Sequence, residues 1–365
     1  MKKIVFISGT QPPTLCGVGM YSSKLLKELV RSNVYELHLI TSDVNELEMI
    51  NGITYHTVPS IWNIGVQLKI IRILKRINPD IIHFQHPTLT YVSRPDILFL
   101  IFAIYFKFKN RYHVLTLHEL SQSSILGKIM NIIIISTFSR VIFTNNKDLC
   151  FASKFYFKKK DQFLIIPIFP NNYYKQKILV GDYFCYIGMI DKKKGIEYLL
   201  KSVQELKNNN YDIKVKILTG FNNKNKYHQY IKNLISKYNI KESIVLYEKI
   251  SSIEIAKEIA QSFAVILPYN LGISPRNGTF LEAISYKKPV ITTVTKYTDT
   301  SRLKDHYNCI LVNPRNYKGI EISIKELLAS EELYKKLSVN SYKLSKYFNI
   351  SSVAKSYLKL YSSLK

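Results

Sequence analysis

The sequence contains few residues that could form covalent cross-links. Its 365 residues include four cysteines, and no two of them are close enough to form a Cys-x-x-Cys pair. All four lie in or beside apolar segments, as is typical of free thiols that pack in a core. The sequence therefore argues against a disulfide-linked domain and predicts a cytoplasmic protein.

The sequence also lacks a segment long enough to cross a membrane. The first nine residues are interpreted as a short strand rather than a signal peptide. The longest apolar run, Ile97–Phe106, is 10 residues long, whereas a membrane-spanning helix needs roughly 20. We interpret this run as a buried helix, with contact at a membrane interface as the alternative.

Acidic residues are in the minority, and the formal net charge is +26. The excess is spread along the chain, because residues 1–180 carry +12 and residues 181–365 carry +14. Lys, Ile and Asn are overused and Arg is scarce, which fits a bias in the base composition of the genome. The alternative explanation of the positive charge is that it binds an anionic membrane surface. The even spread argues against nucleic acid.

The chain alternates short β-rich runs with amphipathic helices, a pattern typical of parallel α/β sheets. Seven strand candidates lie between residues 4 and 166, and six lie between residues 183 and 312. The pattern predicts Rossmann-like domains at residues 1–170 and 183–348, joined by a linker at 171–182. Residues 349–365 are expected to form a final helix that could pack on either domain, and packing back on the N-terminal domain is the arrangement we predict. Two doubly wound domains predict a cleft between them.

Two segments of the first domain carry candidate binding residues. Gly17-Val18-Gly19 follows the first strand, so its backbone could approach an anion at a helix start, although it is also compatible with an ordinary tight loop. His118 ends the predicted fifth strand, where it could bind a sugar hydroxyl or a phosphate or simply pack in the core. His83 and His86 are too few ligands for a zinc site.

Two segments of the second domain suggest a phosphate site. Gly188 and Gly195 flank a lysine-rich loop ending at Lys194, so an ammonium group and backbone N–H groups lie near one helix start. The later segment runs from Gly272 to Ala283. Four of its residues could bind phosphate or ribose, although the stretch could also simply cap the following helix: Arg276, Gly278, Thr279 and Glu282.

In this order the segments resemble the retaining glycosyltransferases of family 4, which have the GT-B fold, and the resemblance covers nearly the whole chain. It implies an N-terminal acceptor-binding domain and a C-terminal domain that binds the donor nucleotide. It further implies that Gly17 and Gly19 approach the donor diphosphate or the acceptor, that His118 contacts the donor sugar, and that Lys194 neutralises the leaving diphosphate. Glu282 would hold the ribose, with Gly188, Ser274, Gly278 and Thr279 also at the donor.

The chain departs from the family pattern at two positions. Met189 stands where the family usually has an arginine, and Ser274 stands where it usually has the first glutamate of a pair. A subgroup with Ser-x-Arg-x-Gly-Thr resembles this segment, and we expect Arg276 to replace the missing cation, so that His118, Lys194 and Arg276 form the catalytic set.

The resemblance implies a metal-independent transfer of a sugar from a nucleotide-diphosphate sugar, without a cofactor, to a glycan or lipid-linked acceptor. Surface polysaccharide synthesis on the inner face of the cell membrane is the expected role, and no DxD metal motif is present. The two departures leave a non-catalytic protein that binds sugar nucleotides or glycans as the main alternative. A sugar-nucleotide epimerase would need a poised acid/base pair, which we do not find in the sequence.

Overall fold

The computed structural model describes most of the chain. The described residues are 1–14, 16–44, 47–60, 62–86, 112–118, 120, 125–155, 160–170, 174–247, 249–273, 277–296 and 298–364. The chain divides into two compact units. The N-terminal unit comprises Met1–Phe169 and Ile350–Lys365, and the C-terminal unit comprises Pro170–Asn349.

The N-terminal unit contains a parallel sheet of seven strands in the order β3-β2-β1-β4-β5-β6-β7. The strands are β1 Lys2–Ile7, β2 Tyr35–Ser42, β3 Ile53–Val58, β4 Ile81–His86, β5 Tyr112–Leu117, β6 Arg140–Phe143 and β7 Phe163–Ile165. Strands β4 and β5 are almost entirely buried, as expected for a parallel sheet covered on both faces. The strand order reverses between β1 and β4, which places a switch point beside the end of β1.

Helices cover both faces of this sheet. They are α1 Gly17–Val30, α2 Ile64–Ile77, α3 Ile125–Ile135, α4 Asn146–Ser153 and α11 Ile350–Ser363. One apolar cluster joins α2 and α3 to the sheet, and another joins α1 and α11 to its other side. The last helix of the chain therefore completes the core of the N-terminal unit. Its side chains Val353, Tyr357 and Tyr361 are at most 1% exposed.

The C-terminal unit contains a parallel sheet of six strands in the order β10-β9-β8-β11-β12-β13. The strands are β8 Tyr183–Ile187, β9 Lys214–Leu218, β10 Ile244–Leu246, β11 Ala264–Leu267, β12 Val290–Thr293 and β13 Ile310–Val312. The helices are α5 Ile196–Asn208, α6 Lys226–Lys237, α7 Ser252–Gln261, α8 Gly278–Ser285, α9 Tyr317–Ala329 and α10 Glu331–Tyr347. The strand order reverses between β8 and β11, so the loops after these two strands flank the switch point.

The prediction of two parallel Rossmann-like sheets is confirmed. Every predicted strand is present in the structure, with ends that differ by at most two residues. Helix α1 begins at Gly17, so the glycine segment lies inside this helix rather than before it. Among the described residues no helix is long and apolar enough to cross a membrane, and the apolar run 97–106 lies outside them. Cys16, Cys185 and Cys309 are buried free thiols, whereas Cys150 is exposed.

Candidate functional site

The loop after β8 is built around a left-handed glycine. Asp191 caps a short 3-10 turn by accepting a hydrogen bond from Lys193 N at 2.7 Å, and Lys194 ends that turn. Gly195 then adopts φ +64°, and a Cβ atom there would lie 2.1 Å from the carbonyl oxygen of Pro268. The close approach of two backbones thus requires glycine at the start of α5.

The loops after β8 and β11 are joined by hydrogen bonds from one residue. Asn270 donates through its backbone N to the carbonyl of Lys193 at 2.9 Å. Its side-chain amide donates to the carbonyl of Lys192 at 2.6 Å. The lysine loop is therefore held against the end of β11, beside the switch point.

Lys194 lies above an aromatic ring of the β11 loop. Its Nζ is 4.3 Å from the centre of the Tyr269 ring, a distance that suits a cation–π contact. Burial lowers the pKa of Lys194, and nearby Asp191 partly opposes this shift. Tyr269 itself is 4% exposed, and burial raises the pKa of its phenol to about 12. The ammonium group is thus partly dehydrated and fixed in position.

Tyr269 connects the lysine loop to helix α8. Its hydroxyl donates to Asn277 Oδ1 at 3.4 Å, and Asn277 caps α8 by accepting from Phe280 N at 3.0 Å. Gly278 and Thr279 are the first two residues of α8 and are partly exposed. The N–H groups of a helix's first turn have no partners within the helix and favour an anion.

Glu282 lies one turn into α8 and is 6% exposed. It therefore lies in the helix whose start Tyr269 and Asn277 connect to Lys194. Four of the predicted donor residues thus stand on the segments that follow β8 and β11, the two strands at the switch point of the C-terminal sheet: Lys194, Gly278, Thr279 and Glu282. Gly188 lies at the start of the lysine loop after β8, with φ +138°. The side chain of the next residue, Met189, is 74% exposed. Ser274 and Arg276 lie outside the described residues.

The first helix of the N-terminal unit contains both predicted glycines. They lie in its first turn rather than before it, because α1 starts at Gly17. A Cβ atom at Gly19 would lie 2.7 Å from the carbonyl oxygen of Thr10, whereas a Cβ atom at Gly17 would meet nothing within 4 Å. Gly19 therefore has a packing reason to be glycine, and Gly17 leaves open space at the helix start.

His118 directly follows β5 and is 5% exposed. Its Nε2 lies 2.8 Å from Gln85 Oε1, and its ring packs edge-on against Tyr21 with centroids 5.1 Å apart. The side chain is therefore held by protein contacts at the carboxyl end of the sheet.

The two histidines of β4 are both buried. Burial lowers the pKa of His83 to about 3 and that of His86 to about 4, so both are neutral at pH 7. Among the described residues no group of three or more His, Cys, Asp or Glu side chains could hold a metal ion.

The C-terminal unit also has an open groove of about 780 Å³. Its lining includes Lys192, Lys226 and Arg315, but neither Lys194 nor Glu282. Side chains from α5 and α6 line it, and these helices pack on one face of the sheet with α9. Cys185 points to the opposite face, where α7 lies and packs against α8. Asn270 also lines the groove and donates to the carbonyls of Lys192 and Lys193, so the groove adjoins the lysine loop.

Sequence reasoning missed three residues that organise this site: Tyr269, Asn270 and Asn277. Tyr269 and Asn270 follow a buried strand directly, and Asn277 precedes the helix. An asparagine before a helix start is a capping signal that could have been recognised. The role of Tyr269 has no local signal, because it depends on a lysine 75 residues earlier.

Comparisons with known proteins agree with this architecture. Residues 174–344 match the family described as Glycosyl transferases group 1. Across the chain, an uncharacterized glycosyltransferase of Methanocaldococcus jannaschii is 25% identical over 367 residues, covering 96% of each protein. Most of the C-terminal unit is thus similar to glycosyl transferases group 1, and these matches support glycosyltransferase activity.

Two solved structures share the whole fold. Sucrose-phosphate synthase from Thermosynechococcus elongatus has a TM-score of 0.72 at 17% identity, with 100% of this chain and 99% of that chain covered. HepE from Anabaena, solved in complex with UDP, has a TM-score of 0.73 at 13% identity, with 100% of both chains covered. At these identities the likeness concerns the fold, which is GT-B with two Rossmann-like domains.

Proposed function

We propose that this protein transfers a sugar from a nucleotide-diphosphate sugar to a glycan or lipid-linked acceptor, with retention and without a metal ion. The observation that carries the proposal is the half-buried Lys194 ammonium, fixed above Tyr269 and joined through Asn277 to the start of α8. That helix also bears Glu282. One cation, one helix start and one carboxylate suit the diphosphate and the ribose of a nucleotide.

The chemistry of this arrangement is electrostatic. When the bond between the sugar and the diphosphate breaks, negative charge accumulates on the departing phosphate oxygens. A partly dehydrated ammonium and the N–H groups of Gly278 and Thr279 would stabilise that charge without reorganising. Glu282 would accept hydrogen bonds from the ribose hydroxyls. We propose Gly188 and Ser274 as further donor contacts, and Arg276 as a second cation.

The N-terminal domain is the proposed site of the acceptor, and His118 the proposed contact of the donor sugar. Gly17, which leaves open space at the start of α1, would let the backbone approach a phosphate or the acceptor, and Gly19 would let α1 pack against Thr10. The net charge of +26 suits an anionic membrane surface that carries a lipid-linked acceptor. We therefore propose a role in surface polysaccharide synthesis, with the protein on the cytoplasmic face of the cell membrane.

A donor panel tests this proposal. Purified protein is incubated with sugar nucleotides of each base, with and without a lipid-linked acceptor, and nucleotide release is measured with and without EDTA. HepE was solved with UDP-glucose as well as UDP, so UDP-sugars are the first donors to test. We expect release with one donor class that EDTA does not abolish, and a product whose anomeric configuration, read by NMR, equals that of the donor.

Two pairs of variants test the site itself. Lys194→Ala should lower kcat roughly a hundredfold, because it removes a group that stabilises developing charge, whereas the exposed neighbour Lys193→Ala should change it little. Glu282→Ala should weaken nucleotide binding, and Glu205→Ala, at a partly buried position of α5 where the carboxylate pairs with Lys201, serves as its control. Full-rate release by Glu282→Ala would refute the ribose assignment. Tight nucleotide binding by calorimetry with no turnover for any acceptor would favour a non-catalytic binding protein.

A further inference from the structure

A continuous set of buried polar side chains connects His118 to the last helix of the chain. His118 Nε2 lies 2.8 Å from Gln85 Oε1, and Gln85 Nε2 lies 3.3 Å from His83 Nε2. His83 Nδ1 lies 2.5 Å from the hydroxyl of Tyr361 on α11. His83, Gln85 and Tyr361 are all 0% exposed. The path therefore contains no solvent-exposed member between the strand end and the C-terminal helix.

A second branch joins the same histidine to α11. His83 Nε2 lies 2.8 Å from Thr116 Oγ1, which lies 3.1 Å from the hydroxyl of Tyr357. Tyr357 in turn lies 3.0 Å from the hydroxyl of Tyr21. His83 is thus the point where two branches from one helix meet.

The hydrogen-bond directions follow from the donors available. His83 is neutral and carries one ring proton, because burial lowers its pKa to about 3. Gln85 faces it with an amide nitrogen, which can only donate, so His83 Nε2 must accept. The ring proton then resides on Nδ1 and is donated to the hydroxyl of Tyr361. At the other end, Gln85 Oε1 can only accept, so His118 Nε2 must donate.

We propose that Tyr361, acting through His83 and Gln85, positions His118 and fixes its Nε2–H tautomer. This inference rests on the proposed function, in which His118 contacts the donor sugar. Tyr361 is a positioning residue, because it reaches the sugar contact only through two other side chains. The last helix of the chain would thereby determine which ring nitrogen of His118 carries the proton.

Removing the hydroxyl of Tyr361 should reverse the directions of the hydrogen bonds between His83 and His118. In Tyr361→Phe the Nδ1–H of His83 loses its acceptor, so the tautomer with the proton on Nε2, which can donate to Thr116 Oγ1, becomes favourable. That proton would face the amide nitrogen of Gln85, and the amide would turn over. Gln85 would then donate to His118 Nε2 and drive His118 to the Nδ1–H tautomer.

Tyr357→Phe is the matched control. Tyr357 lies one turn earlier on the same helix and is equally buried. Its hydroxyl contacts Thr116 Oγ1 and the hydroxyl of Tyr21, and without it Thr116 can still donate to His83 Nε2. The direction of the bonds between His83 and His118 therefore stays the same in this variant.

The experiment measures the ring nitrogens of the full chain labelled with ¹⁵N-histidine. Long-range ¹H–¹⁵N spectra are recorded for wild type, Tyr361→Phe and Tyr357→Phe, with His118→Asn used for assignment. We expect the Nε2–H tautomer of His118 in wild type and Tyr357→Phe, and the Nδ1–H tautomer in Tyr361→Phe. In parallel, kcat for nucleotide release should fall about tenfold in Tyr361→Phe, with KM for the donor unchanged.

An unchanged His118 tautomer in Tyr361→Phe would overturn the proposal. If Tyr361→Phe does not fold, Gln85→Leu tests the same step, because it removes the bridge and should leave a mixture of the two tautomers. Pure Nε2–H in Gln85→Leu would equally overturn the proposal. Failure of the proposed function gives a different result, since neither wild type nor any variant would then release nucleotide, while the tautomer of His118 still depended on Tyr361.

Discussion

Substituting Gly195 by alanine should separate the lysine loop from the end of β11. Gly195 has φ +64°, and an added Cβ would lie 2.1 Å from the carbonyl oxygen of Pro268, whereas ordinary contact begins at 3.4 Å. The left-handed conformation alone costs alanine about 1–2 kcal/mol. The contact adds to this cost, because the two backbones must move apart by 1.3 Å, the difference between these distances.

The displacement acts on the proposed donor site. Asn270 joins the β11 loop to the carbonyls of Lys192 and Lys193, so separation of the backbones moves Lys194 away from Tyr269 and from the start of α8. Misplacement of a binding group by about 1 Å can cost roughly a hundredfold in rate. We therefore expect kcat/KM for the selected donor to fall about a hundredfold in Gly195→Ala.

The assay combines nucleotide release, calorimetric nucleotide binding and urea unfolding. Gly188→Ala separates strain from collision, because its φ is +138° but the nearest atom, the Tyr186 hydroxyl oxygen, is 3.8 Å from the added Cβ. Because Gly188 is itself a proposed donor contact, Gly188→Ala is compared by urea unfolding only, where it should lose stability through strain alone. Gly65→Ala, in the first turn of α2 in the N-terminal unit, serves as a control for the general effect of a glycine-to-alanine change on folding. Donor affinity and rate within twofold of wild type in Gly195→Ala would refute this reasoning.

Two further predictions concern the supports of the C-terminal unit. Asn277→Ala removes the cap of α8 and the acceptor of Tyr269, so stability should fall by about 1 kcal/mol with a larger loss of nucleotide affinity; equal affinity by calorimetry would contradict the link to Lys194. Lys288 is 1% exposed and donates to the carbonyls of Leu179 and Ser262, so Lys288→Met should lower the free energy of unfolding by about 1–3 kcal/mol. Burial lowers the pKa of Lys288 to about 8. The unfolded chain therefore binds more protons than the folded chain above that pH, and wild type should gain stability relative to Lys288→Met between about pH 8 and pH 10, as measured by urea unfolding. A loss of wild-type stability relative to Lys288→Met over this pH range would show that the ammonium stays charged in the fold.

The strands could be predicted because parallel sheets leave a strong local signal. Buried strands such as Tyr183–Ile187 are continuous apolar runs, and glycine, proline or asparagine marks their ends. The first turn of α1 was missed because Gly17 and Gly19 have low helix propensity. Tertiary packing requires glycine in this turn, because a side chain at Gly19 would collide with the carbonyl oxygen of Thr10.

The candidate site could be predicted only in part from the sequence. Lys194 and Glu282 stand in recognisable loops after strands, and the switch point explains why those loops meet. Their connection through Tyr269 and Asn277 depends on the register of β8 against β11, which no short window of sequence specifies. Arg276 and Ser274 lie outside the described residues, so their predicted roles stay predictions.

The last helix shows why an amphipathic pattern identifies a face but not its partner. Val353, Tyr357 and Tyr361 form a buried stripe on this helix, but the sequence left open which domain it would pack against. Two of these three side chains carry hydroxyls that are 0% exposed and need polar partners, which a purely apolar surface cannot supply. The N-terminal sheet provides them, because His83 and Thr116 point their polar atoms toward α11. Buried hydroxyl groups thus require polar partners, which hydrophobic periodicity alone does not specify. Here these partners link the last helix to β5, the strand that His118 follows.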